Sequence, residues 1–171
     1  MNTPAKILVV DDTPRNVKLL ADLLAVKGYG VVTASSGRDA LSRLEAERPD
    51  LILLDVVMPE MSGYEVCRKI RANPTMAMLP VVMVTALDPA EERVKGIDAG
   101  ADDFLTKPIN QAELLARVKS LLRIKELHDT IQAQAAELAD WNKNLELRVQ
   151  EQVRQLERLE RLKRFFSPQL A

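Results

Sequence analysis

One cysteine, Cys67, and one histidine, His128, are the only thiol and imidazole in the 171-residue chain. A lone thiol closes no internal disulfide, and one Cys with one His builds no zinc site of the usual N/S type. That usage fits a reducing cytosol. Charge of one sign is also missing, because 24 Lys and Arg stand against 25 Asp and Glu, so no overall field draws the chain to nucleic acid or an acidic membrane. The short apolar run Ile7 to Val10 meets Asp11 and Asp12 at once, unlike a signal peptide or a spanning segment. A soluble, cytoplasmic protein with neither nucleic-acid nor membrane partners is expected.

Glycine and proline are absent from most of the second half. All six glycines and eight of the nine prolines lie at or before Pro108, and the next proline is Pro168. Residues 109–167 therefore hold no strong helix breaker. The shift predicts a turn-rich globular domain over 1–124 and one long helix over 125–166.

The globular part repeats a simple unit. Apolar runs at Ile7 to Val10, Val31 to Ala34, Leu51 to Leu54, Val81 to Val84 and, more weakly, Ala101 to Leu105 are each followed by helical periodicity. Thr13 before Pro14 reads as a helix N-cap with proline at the first helical position, and Ser36 as the cap of the second helix. Strands apolar on both faces, alternating with helices, predict a parallel sheet covered on both sides. Five units in this length fit a doubly wound α/β fold of flavodoxin-like strand order 2-1-3-4-5.

Polar residues fall where such a sheet binds ligands. Asp11 and Asp12 follow the first strand, Asp55 the third, Thr85 the fourth and Lys107 the fifth, all at carboxyl ends. In the 2-1-3-4-5 order the first and third strands are neighbours, so the three aspartates converge. Carboxylates that close persist only with a compensating cation or proton, and hard oxygen donors suit Mg²⁺. A hydroxyl at Thr85 and an ammonium at Lys107 add the groups that stabilise phosphoryl oxygens.

The segments "ILVVDD", "LILLDVVMPEMSG", "PVVMVTA" and "GADDFLTKP" resemble, in order, the receiver domain of bacterial response regulators over roughly residues 5–125. The resemblance implies that Asp55 is the phosphoacceptor, served by the phosphohistidine of a sensor histidine kinase or phosphotransfer protein. It implies Mg²⁺ on Asp11, Asp12, Asp55 and the Val57 backbone carbonyl, a phosphoryl hydrogen bond from Thr85, a charge pair from Lys107, a switch aromatic at Phe104 and a cis Lys107–Pro108 bond. Val57 and Leu87 are apolar where such domains often carry groups that position a hydrolytic water, so a long-lived aspartyl phosphate is expected.

In the second half, Ile124, Leu127, Ile131, Gln134, Leu138, Trp141 and Leu145 alternate steps of three and four. Steps of four to Val149 and Val153 then make a stutter before Leu156 and Leu159. A helix from about Asn110 to Phe166 would run roughly 85 Å and needs a second chain along its apolar stripe, which predicts a parallel homodimeric coiled coil. Eight basic and eight acidic residues from Lys125 onward balance along it. The segment "LHDT" resembles the phosphoacceptor box of one histidine kinase class, which would make His128 a phosphodonor, but no Gly-rich nucleotide motif follows Gly100. The last residues, "LKRFFSPQLA", resemble the segment before class III adenylate and guanylate cyclase domains, with 167–171 as the start of a linker to such an output. A stand-alone regulator acting through contacts of its coil is the alternative.

Overall fold

The computed structural model describes residues 3–86 and 89–166. Elements alternate as β1 (Lys6–Val10), α1 (Pro14–Val26), β2 (Gly30–Ala34), α2 (Gly37–Glu47), β3 (Leu51–Asp55), α3 (Gly63–Ala72), β4 (Val81–Thr85), α4 (Pro89–Ala99), β5 (Asp103–Thr106) and α5 (Gln111–Phe166). The five strands form one parallel sheet in the order β2-β1-β3-β4-β5, the flavodoxin-like arrangement expected. Two compact units divide the chain, Met1–Glu126 and Leu127–Ala171.

Side-chain parity builds two cores. Leu8, Val10, Ile52, Leu54 and Met83 point to one face, under Leu44 of α2, Val66 and Ile70 of α3 and Ala99 of α4. Ile7, Val9, Leu51, Leu53 and Val84 point to the other, under Leu20 and Leu24 of α1 and Leu114 and Val118 of α5. Both faces of β1, β3 and β4 are thus dry, which is why these strands read as unbroken apolar runs instead of alternating ones.

Three local features differ from the sequence expectation or were not anticipated. Strand β5 begins at Asp103 and not Ala101, because α4 ends in a left-handed turn at Gly100, φ +93°. There the Gly100 and Ala101 amides donate to Ile97 O and Gly96 O, which commits Ala101 to the helix terminus. Thr13 occupies the N-cap of α1, yet its side chain makes no capping bond. Pro14 brings no N–H, and the Asn16 amide closes a tight turn on the Thr13 carbonyl at 3.0 Å, so the hydroxyl is not needed. Ser36 does cap α2 by accepting from the Asp39 amide, and α3 carries an unanticipated capping box between Ser62 and Glu65.

Within the second unit, no described residue is buried and only His128 is of intermediate exposure. The apolar row is open to solvent, with Leu127, Trp141 and Leu156 each more than half exposed. Phe165 and Phe166 close the described helix edge to face, with centroids 5.5 Å apart. Ser167 and Pro168, expected to end the helix, lie outside the described residues.

Candidate functional site

The carboxyl edge of the sheet holds the polar cluster. β1 delivers Asp11, 2% exposed, and β3 delivers Asp55, 5% exposed, from adjacent strands paired Val10 to Leu54. Asp12 follows in the β1–α1 turn and is exposed. One carboxylate oxygen from each of Asp11, Asp12 and Asp55 lies within 4.8 Å of the others. Thr85, 3% exposed, ends β4 beside β3.

Lys107 follows β5 and reaches into the cluster. Its Nζ sits 2.8 Å from Asp11 Oδ2 and 3.2 Å from Asp55 Oδ1. Its backbone amide donates to the Thr85 carbonyl at 2.8 Å, and the Lys107–Pro108 bond is cis as expected. The ammonium thus bridges the two buried carboxylates. Burial pulls its pKa down, but the Asp11 hydrogen bond and the charges of Asp55 and Asp11 outweigh that, and the net shift is upward. Asp55 is held above the ordinary carboxylate range, first by burial and then by the Asp11 charge, with Lys107 opposing both.

Asp11 is fully engaged. Its Oδ1 accepts from the Thr13 amide at 2.8 Å, and its Oδ2 accepts from Asn16 Nδ2 at 3.1 Å as well as from Lys107. Asn16 was not foreseen. The only signal available was its place on the first turn of α1, which carries it back over the strand end.

Two further residues were missed. Gly63, the first residue of α3, lies so close to β3 that a Cβ there would stand 2.3 Å from the Asp55 carbonyl oxygen. Its amide donates to Val56 O at 2.9 Å, so α3 starts directly on the backbone of Asp55 and Val56. Glu60, in the loop between them, takes φ +64° at the centre of a turn closed by Met61 N to Pro59 O, 2.7 Å. That backbone is costly for a residue with a Cβ, so the surrounding structure must impose it.

Phe104 on β5 is half-buried and packs on the α2–α4 core face, in register with Met83. Val57 lies in the loop two residues beyond Asp55 and is 57% exposed. Leu87 lies outside the described residues. His128 stands on α5 and belongs to the second unit, whereas the carboxylate cluster belongs to the first.

Residues 7–119 match the family model described as "Response regulator receiver domain". Response regulator PleD of Caulobacter vibrioides is 48% identical over 132 residues, covering 77% of this chain and 29% of PleD. The alkaline phosphatase synthesis transcriptional regulatory protein PhoP of Bacillus subtilis is 48% identical over 122 residues, 71% of this chain and 50% of PhoP. The chain therefore spans half or less of these two relatives' length. Among solved structures, chemotaxis protein CheY4 of Vibrio cholerae superposes with a TM-score of 0.66 at 34% identity, covering 69% of this chain and 98% of that one. The receiver domain of a signal transduction histidine kinase from Syntrophus aciditrophicus gives 0.66 at 39% identity, over 70% and 90%.

Proposed function

The chain belongs to the response regulator receiver family, and from that premise we propose that Asp55 is its phosphoacceptor. The donor is the phosphohistidine of a sensor histidine kinase or phosphotransfer protein. A carboxylate oxygen of Asp55 attacks phosphorus, the P–N bond breaks, the imidazole leaves with the electron pair and takes a proton from solvent, and an acyl phosphate remains. The observation that supports this most is the Lys107 ammonium placed between Asp11 and Asp55 at 2.8 and 3.2 Å. It is poised to turn from carboxylate to phosphoryl oxygen.

The donor set fits Mg²⁺, being three carboxylates within 4.8 Å with no imidazole or thiolate among them. Asp11, Asp12, Asp55 and the Val57 carbonyl would hold it. When bound, the ion supplies charge neutralisation for the transferring phosphoryl oxygens. Asp11 is oriented for such a role by the Thr13 amide and Asn16. Burial keeps Asp55 out of bulk water while Lys107 favours its ionised, attacking form.

Phosphorylation adds a charge of about −1.5 to −2, which draws the Thr85 hydroxyl and Lys107 toward the phosphoryl group. Met83 and Phe104 share one sheet face, and Thr85 lies two residues beyond Met83 on that same face. Movement of Thr85 therefore makes room that favours the inward position of the Phe104 ring over the outward one, and the surface of α4, β5 and α5 repacks. Val57 offers no polar group to aim a water at the acyl phosphate, so the modification is long-lived. A half-life of seconds for phospho-Asp55 in Mg²⁺ would contradict that.

The exposed apolar row of α5 supports a parallel homodimeric coil as the transmitter. The tail sequence supports a nucleotide cyclase as the output that it drives. A pH series tests the acceptor chemistry: labelling by acetyl phosphate should require Mg²⁺ and fall as pH drops through the raised Asp55 pKa. Labelling that is indifferent to Mg²⁺ would sink the reading.

A further inference from the structure

Helix α4 carries a glycine in its interior, where glycine costs roughly 1 kcal/mol against alanine. Gly96 lies within Pro89–Ala99 and its φ is not left-handed, so the backbone does not require it. Space does. A Cβ at Gly96 would stand 2.1 Å from Cζ and 2.3 Å from Cε1 of Phe104, and 3.2 Å from Met83 Sδ. The edge of the Phe104 ring thus rests directly on the backbone of α4.

The helix is not free to back away from that ring. One turn earlier, on the same face, the buried Glu92 carboxylate accepts a hydrogen bond from the Tyr64 hydroxyl of α3 and pairs with Lys95 at 3.2 Å. One turn later, Gly100 O accepts from Arg71 Nε at 2.8 Å, which ties the other end of α4 to α3. With α4 fixed on both sides of Gly96, a methyl group there is relieved by the ring turning out, not by the helix moving.

We propose that Gly96 is the seat of the Phe104 ring, a positioning residue whose missing side chain sets how readily the ring lies inward and hence how strongly that state is coupled to phosphorylation of Asp55. The proposal rests on the reading of Phe104 as the switch aromatic. By linkage, whatever disfavours the inward ring weakens the phosphorylated state by the same factor.

The chain has three phenylalanines, so 4-fluorophenylalanine labelling of the full chain gives a simple fluorine spectrum in which Phe104→Ala assigns the switch resonance. In the wild type that resonance should move on addition of acetyl phosphate and Mg²⁺. In Gly96→Ala it should start at the position of a solvent-exposed ring and move less, and affinity for the phosphoryl analogue beryllofluoride should fall by about fivefold or more. Urea unfolding supplies the second arm. Gly96→Ala should lower the midpoint in the wild type but raise it in the Phe104→Ala background, where only helix propensity remains. An unmoved wild-type resonance removes the switch premise and overturns the coupling. A wild-type response with an unchanged Gly96→Ala resonance, or an equal midpoint loss in both backgrounds, overturns the seat. Should Gly96→Ala fail to fold, a folded double variant supports the proposal and an unfolded one refutes it.

Discussion

Gly63→Ala would place a methyl carbon 2.3 Å from the Asp55 carbonyl oxygen and 3.0 Å from Val56 Cα. Carbon and oxygen settle at about 3.3 Å or beyond, so the first turn of α3 and the end of β3 must part by roughly 1 Å. Both partners are backbone and offer no rotamer escape. Overpacking of this kind costs about 1–3 kcal/mol, only partly offset by the ~1 kcal/mol that alanine gains over glycine in a helix. A net loss near 1 kcal/mol, with a urea slope near 2 kcal/mol/M, lowers the midpoint by about 0.5 M. Asp55 moves with β3, and a misplacement of about 1 Å can slow a positioned reaction by up to about 100-fold. Phos-tag gels after timed exposure to acetyl phosphate read that rate. Gly28→Ala is the control, because its φ of +87° makes alanine costly while nothing lies within 4 Å of the added carbon. It should lose about 1–2 kcal/mol and label at the wild-type rate. If Gly63→Ala labels as fast as Gly28→Ala, the claim that Gly63 sets the position of Asp55 is wrong.

Three further outcomes follow from the same geometry. Folded Asp55 keeps its proton to higher pH than the unfolded residue at its ordinary 3.8, so the folded state binds more protons in that window and stability falls as pH rises through it. Asp55→Asn should therefore be more stable than wild type at neutral pH in EDTA, and urea midpoints should converge as pH falls toward that value. Lys107→Ala leaves the buried Asp11 and Asp55 without their shared cation; a loss of about 2–3 kcal/mol is expected, below that of a fully buried pair because Lys107 is a quarter exposed. Mg²⁺ at ten times its Kd should return about 1.4 kcal/mol, and equal midpoints for variant and wild type would contradict the bridging role. Light scattering should find a dimer at tens of micromolar for the full chain and a monomer for a chain ending at Glu126; a monomeric full chain would overturn the coil.

The sequence made the sheet legible because its strands are buried on both faces and so appear as apolar runs, each followed by the residue it delivers. Asp11, Asp55, Thr85 and Lys107 could be placed at one edge from that pattern alone, with the cation chemistry that three carboxylates demand. What escaped the reading depends on contacts between segments distant in the chain. Gly63 and Gly96 look like ordinary glycines until β3 and Phe104 are seen packed against them. Asn16 has no motif of its own, and its amide matters only because the turn after β1 folds it over Asp11. Thr13 misled in the opposite sense, since a strong cap signal was made redundant by the proline beside it. The late start of β5 has the same origin: Ala101 is apolar enough for a strand, but Gly100 commits its amide to the end of α4.

We propose that one buried carboxylate, Asp55, held by Lys107 beside Asp11 and Asp12, takes the phosphoryl group. Peptide mapping by mass spectrometry after acetyl phosphate and Mg²⁺ tests it most directly. A hydroxylamine-sensitive phosphoryl group should appear on Asp55 in the wild type and none on the folded Asp55→Asn chain. Modification that persists in Asp55→Asn, or that maps to His128, would contradict it.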